Sequence, residues 1–191
     1  MVSSITLKNL IIGYRSKHQL RAIASPVHAS LQAGELTCLI GANGVGKSTL
    51  LRTLAGFQPA LDGEILIQDK SLSDFSAQEL AREISIVLTS KTDHAQLSAE
   101  EIVGIGRSPY TGFWGTLSTA DKQIVASALQ ETGIQHLAQR NISELSDGER
   151  QKVMIAKALA QQTRIIILDE PTAFLDFPSK IETLQMLRRL A

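Results

Sequence analysis

Three short stretches of this chain carry residue types that act on phosphates. The first, Gly41-Ala-Asn43-Gly44-Val45-Gly46-Lys47-Ser48-Thr49, satisfies G-x-x-x-x-G-K-[ST] between an apolar run and an amphipathic one. Glycines 41, 44 and 46 let the backbone curl until successive N–H groups, those of Asn43 and Val45 among them, point at phosphate oxygens. A helix opening after Gly46 would add its positive end. Lys47 is placed to span the β- and γ-phosphates, Ser48 to give its hydroxyl to magnesium, and Thr49 to reach the α-phosphate region.

The second stretch, Ile165-Ile-Ile-Leu-Asp169-Glu170, is an apolar strand ending in two acids. Asp169 would hold magnesium through water. Glu170 would polarise the attacking water, and Pro171 biases it away from helical geometry. The third, Leu145-Ser146-Asp147-Gly148-Glu149, offers a serine hydroxyl and a bare glycine N–H at a helix start, a grip for a γ-phosphate. Ser146-x-x-Glu149 also spells a capping box, and both readings can hold at once.

These stretches need strands and helices to aim them. Apolar runs at 5–10 and 27–31, parted by turn residues, predict antiparallel strands leading into a buried strand at 36–40 that feeds the glycine loop. Helical spacing of Leu50, Leu51 and Leu54 predicts a helix over 48–56. Short strands are expected at 64–68 and 84–88, with a capped helix from Ser76 between them. Residues 98–105, 119–133 and 149–161 read as helices, before 165–168 restores a buried strand. A last helix starts at Ser179, with Ile181, Leu184, Leu187 and Leu190 at helical spacing.

Composition narrows the classes. Lysine plus arginine equals aspartate plus glutamate at 19 each, so bulk charge supplies no attraction for nucleic acid. No apolar run approaches the length of a membrane span, and the first residues lack a signal-peptide pattern, which points to a cytosolic chain. The single cysteine, Cys38, excludes an internal disulfide and reads as a packing residue of the 36–40 strand.

A phosphate loop alone does not choose among kinases, GTPases, helicases and transport ATPases. The order of Lys47, the Leu145–Glu149 turn and Asp169 resembles that of the ATP-binding-cassette (ABC) ATPases, whose signature is usually Leu-Ser-Gly-Gly-Gln, and the resemblance covers essentially the whole chain. It implies an α/β fold: a P-loop NTPase (RecA-like) core with an antiparallel β subdomain and an inserted α-helical subdomain. One domain would span 1–191, with 1–89 carrying the antiparallel β part and the first part of the core, 90–161 the helical insert, and 162–191 the remainder of a truncated core.

The resemblance further implies ATP and Mg2+ as cofactors, a second ATPase subunit as partner, and permease subunits in the membrane. A substrate-binding protein would act indirectly, and the chain would sit on the cytoplasmic face of the membrane. Tyr14 matches the aromatic that stacks on adenine. Phe174-Leu-Asp176 matches the loop that couples the two subunits, and the 107–114 segment is the expected seat of a membrane subunit's coupling helix. Together these segments look most like the ATPases of importers for ferric siderophores, haem and cobalamin.

Rival readings lack their marks. A cassette protein acting on DNA or ribosomes would bring coiled coils, tandem cassettes or basic tracts, and a small-molecule kinase would have no use for the Leu145–Glu149 turn. The chain departs from the family pattern in two places. Thr89 stands where a magnesium-contacting glutamine is expected, and Asp147 replaces a glycine beside the γ-phosphate seat. His18, His28, His94 and His136 all precede Asp169, whereas the family's γ-phosphate histidine follows the catalytic glutamate. On that ground, slow hydrolysis by this stretch of chain is expected.

Overall fold

The computed structural model describes residues 3–15, 19–24, 26–88 and 96–191. In strand β1 (Ser3–Ile11) Ile5 and Leu7 are buried while Lys8 is exposed, the alternation of a sheet with one covered face. The hairpin β2 (Gly13–Arg15) and β3 (Leu20–Ala22) forms a separate two-stranded ribbon. A four-stranded antiparallel sheet joins β4 (Val27–Gln32), β1, β5 (Asp62–Ile67) and β6 (Lys70–Ser71), in that order. Lys8 faces Glu64 in the β1–β5 register and pairs with it at 3.7 Å, an exposed ion pair that assists register more than stability.

The remaining elements are α1 (Lys47–Leu54), α2 (Ala77–Glu83), β7 (Ile84–Val87), α3 (Ala99–Ile105), α4 (Thr119–Glu131), α5 (Asp147–Ala160), β8 (Ile165–Leu168) and α6 (Phe177–Leu190). Two compact units divide the chain. One reaches to Leu80 and takes in Ala191; the other runs from Ala81 to Leu190.

In the second unit β7 and β8 pair in parallel, from Ile84 opposite Ile165 to Val87 opposite Leu168. Its helices pack one apolar cluster in which Ile102, Leu129, Ile134 and Val153 are almost wholly buried. Full burial of such side chains stabilises the fold by about 1.5–3 kcal/mol each. Each of the three cluster helices opens on a capping box: Ser98 with Glu101, Ser118 with Asp121, and Ser146 with Glu149. The serine N–H and hydroxyl bonding to each carboxylate hold Glu101 and Glu149 below the usual carboxylate range.

Two expectations are corrected. Residues 36–40 form no strand, and Cys38 is exposed, with Ile40 91% accessible. An apolar run becomes a buried strand only when a neighbour supplies its ladder, and no described strand pairs with this one. The last helix starts two residues before Ser179; Asp176 caps it, its carboxylate accepting from the Ser179 N–H at 3.1 Å. Strand β8 is also less covered than its sequence suggests: Ile167 is buried but Ile166 is 37% exposed.

Candidate functional site

The phosphate loop lies wholly in the first unit. Gly44 and Gly46 take the left-handed conformation, at φ 80° and 107°, and Gly46 is the N-cap of α1 without any side-chain cap. A Cβ on Gly46 would lie 2.5 Å from Ile23 Cγ2, so the residue after β3 packs directly on the loop. Lys47 folds back over the loop, its ammonium donating to the Gly41 and Ala42 carbonyls at 2.8 and 3.0 Å. The Val45 N–H donates to the Ala42 carbonyl at 3.3 Å, while Gly41, Asn43 and Val45 are exposed. Ser48 follows in the first turn of α1, half-buried.

Thr49 is buried, and its hydroxyl lies 3.1 Å from the Tyr14 hydroxyl. Tyr14 on β2 is 53% exposed and so presents a ring to solvent above the first turn of α1. Neither the hairpin carrying Tyr14 nor its closeness to Thr49 was legible in sequence, because short irregular strands give no periodic pattern.

The acidic turn lies in the second unit. Asp169 extends the parallel ladder by one residue, its N–H donating to the Val87 carbonyl at 2.9 Å, and its side chain is buried. Glu170 is exposed and sits at φ 49°, a left-handed conformation uncommon for a glutamate. Its carbonyl accepts from the Ala173 N–H at 2.9 Å, closing the turn in front of Phe174, which is itself left-handed and 78% exposed. Buried Leu175 anchors that segment before Asp176 caps α6. The Ser179 hydroxyl and N–H hold Asp176 below its ordinary value.

At the head of α5 both readings of the Leu145–Glu149 turn bear on Ser146. Its hydroxyl donates to Glu149 at 2.8 Å and accepts the Glu149 N–H at 3.3 Å. Gly148 is pressed against α6: a Cβ there would meet Ser179 Oγ at 3.1 Å. Asp147, the acid in place of a signature glycine, is paired with Arg150 at 2.9 Å, and the same guanidinium holds the Leu145 carbonyl at 3.0 Å. The sequence reading missed Arg150, although its i,i+3 spacing from Asp147 was the available signal.

The 107–114 segment divides. Arg107 is buried, contrary to its expected place on a docking surface, and bonds to Asp121 at 2.8 Å, the Ala160 carbonyl at 2.8 Å and Gln162 at 3.0 Å. A guanidinium buried this deeply persists because its donors are satisfied. The Ser118 hydroxyl and then Arg107 lower the Asp121 carboxyl to about 2. Beyond it Phe113 and Trp114 are 96% and 87% exposed and stack edge to face at 5.5 Å.

Magnesium takes oxygen donors, and Ser48 and Asp169 are of that kind. Among the described residues no three acidic, histidine or cysteine side chains cluster as a metal site. Thr89 lies outside the described residues.

Residues 24–173 match the family described as ABC transporter. The chain belongs to that family. Against the iron(3+)-hydroxamate import ATP-binding protein of Bacillus subtilis this ABC-family chain is 37% identical over 189 residues, covering 99% of itself and 69% of that protein. The ferric enterobactin transport ATP-binding protein of Escherichia coli is 34% identical over 189 residues, with 99% and 68% covered. An uncharacterised ABC transporter ATP-binding protein of Methanocaldococcus jannaschii is 40% identical over 184 residues, with 96% of this chain and 62% of that one covered. This chain thus spans about two thirds of the length of these relatives.

Among solved structures, an ATP-binding cassette dimer in a post-hydrolysis state, bound to ADP and Pi, superposes with TM-score 0.81 at 26% identity over 97% of this chain and 82% of that one. A component of the ABC transporter complex cbiONQ from Clostridium perfringens gives TM-score 0.84 at 28% identity, over 100% and 74%. The fold of the ABC-family chain is therefore the α/β fold of P-loop ATPase cassettes. No described helix is long and apolar enough to cross a membrane.

Proposed function

We propose that this chain is the ATP-binding and ATP-hydrolysing subunit of an ABC importer for an iron chelate such as a ferric siderophore, or for haem or cobalamin. The observation that carries the nucleotide reading is a contrast between helix starts. Helices α3, α4 and α5 close on their own capping boxes, whereas α1 opens at Gly46 without a side-chain cap. A helix start left so, behind a glycine loop and beside a lysine, is an anion seat. The importer reading is supported by relatives named for iron(3+)-hydroxamate import and ferric enterobactin transport.

In this reading Lys47 leaves the Gly41 and Ala42 carbonyls for the β- and γ-phosphates of ATP, and Tyr14 carries the adenine. The N–H groups of Asn43, Gly44 and Gly46 line the phosphates, and that of Val45 joins them by leaving the Ala42 carbonyl. Ser48 and Asp169 hold magnesium, which when bound neutralises phosphate charge. Glu170 orients and polarises the attacking water. Ser146 and Gly148 receive the γ-phosphate of ATP held by a second copy of the chain. The Ser146 hydroxyl exchanges its bond to Glu149 for one to phosphate. Phe113 and Trp114 dock a permease subunit of the membrane, and the chain sits on its cytoplasmic face. A substrate-binding protein selects the chelate.

The test is a pair of variants studied with ATP and magnesium. Lys47→Ala should bind ATP at least tenfold more weakly, since a charge-assisted contact contributes about 1.5–3 kcal/mol. Glu170→Gln should keep ATP affinity while accumulating dimer on a sizing column. ATP affinity unmoved by Lys47→Ala would overturn the nucleotide reading.

A further inference from the structure

Arg21 stands directly across the β2–β3 ladder from Tyr14. Directly opposed residues of an antiparallel pair project from the same face, with Cβ atoms about 4.5–5.5 Å apart. That face is turned to α1, because the Tyr14 hydroxyl reaches the Thr49 hydroxyl at 3.1 Å. The ribbon is also held close to the phosphate loop, since Ile23 packs on Gly46 and donates its N–H to the Ile12 carbonyl at 2.9 Å. Arg21 is exposed, and among the described residues nothing bonds to its guanidinium. An exposed arginine is ordinarily just solvated. This one shares a ribbon face with an exposed aromatic ring, beside the loop read as the phosphate seat.

We infer that Arg21 is a second nucleotide-contacting residue, lying along the edge of the purine stacked on Tyr14 and setting the base preference of the site. The inference rests on the proposed role of Tyr14 as base platform. A guanidinium offers donors only, in a fixed planar fork. The N7/O6 edge of guanine presents two acceptors to such a fork, whereas the matching edge of adenine presents N7 beside a donor amine. Ring stacking on Tyr14 does not separate the two purines, because each has the same kind of π-face. Arg21 therefore shifts the balance toward guanine, and the site accepts GTP alongside ATP.

Calorimetric titration of the full chain with ATP and with GTP, each with magnesium, tests this in the wild type, Arg21→Ala and Arg21→Lys. GTP should bind the wild type within about threefold of ATP, and Arg21→Ala should weaken GTP roughly tenfold with a much smaller loss for ATP. Arg21→Lys keeps the charge but not the fork, so its GTP-to-ATP ratio should follow that of Arg21→Ala. Thermal midpoints of the three proteins should coincide, since the side chain is exposed. A GTP-to-ATP ratio unchanged by Arg21→Ala overturns the inference, while Lys47-dependent ATP binding in the same experiment leaves the nucleotide reading standing. Failure of the wild type to bind either nucleotide overturns both.

Discussion

The Asp147 carboxylate accepts a hydrogen bond from the Arg150 guanidinium at 2.9 Å, one turn along α5. The negative charge beside the phosphate seat proposed for Ser146 and Gly148 is thus compensated from within its own helix. Arg150 also fixes the Leu145 carbonyl, so it shapes the turn as well as balancing its charge. Arg150→Ala should therefore weaken ATP-dependent association of two copies more than Asp147→Ala does. Asp147→Gly should strengthen association at low salt, with the gain fading as salt screens the exposed charge. Sizing chromatography across ionic strength reads both; identical profiles for all variants would dismiss an electrostatic role for the pair.

Gly46→Ala should disrupt the phosphate loop for two separable reasons. Its Cβ meets Ile23 Cγ2 at 2.5 Å, and its φ of 107° is unfavourable to any L side chain. Left-handed strain alone costs about 1–2 kcal/mol. Adding Ile23→Ala relieves the contact but not the strain, so the double variant should recover only part of the lost stability. Complete recovery in a denaturant titration would mean that backbone conformation is immaterial there.

The Arg107–Asp121 pair gives the helical unit an acid-sensitive lock. The Asp121 carboxyl is lowered from its ordinary 3.8 to about 2 by Ser118 and then Arg107. Its ionised form therefore contributes in full above the unfolded value, and the contribution drains away as pH falls from about 4 toward 2. Asp121→Asn should lower the thermal midpoint at neutral pH and flatten its dependence on pH across that window. A wild-type midpoint that is flat between pH 4 and 2 would remove the carboxylate from the account.

Phe113→Ser with Trp114→Ser should leave the chain as stable as before, within about 0.5 kcal/mol, because surface substitutions of this kind rarely cost more. If the pair docks a membrane subunit, the same change should abolish stimulation of ATPase activity by that subunit while basal activity persists. Loss of basal activity together with stability would instead assign the aromatics to packing.

Sequence spacing read well where a local rule governs the outcome. Ser76 and Ser146 each start a helix with an acid three residues on, and in both cases the serine N–H donates to that carboxylate at 2.8 Å. Periodicity placed β1, β4 and the three cluster helices for the same reason. It failed at 36–40, where strand character depends on a partner that the residues themselves cannot specify. Tyr14 and Thr49 are far apart in sequence, and their 3.1 Å contact follows from a hairpin that has no turn signature among the residues read as strand. Arg107 looked like part of an exposed loop because its acceptors, the Ala160 carbonyl and Gln162, lie on a distant helix end.

Trp114 is the single tryptophan of the chain and is 87% exposed. Indole emission from this protein therefore originates at one point, on the aromatic loop, and in the unbound chain it reports a ring surrounded by water. Any partner that covers the loop will shift that emission to shorter wavelength and shield it from a soluble quencher. The molecule carries its own optical probe of docking, with no label needed.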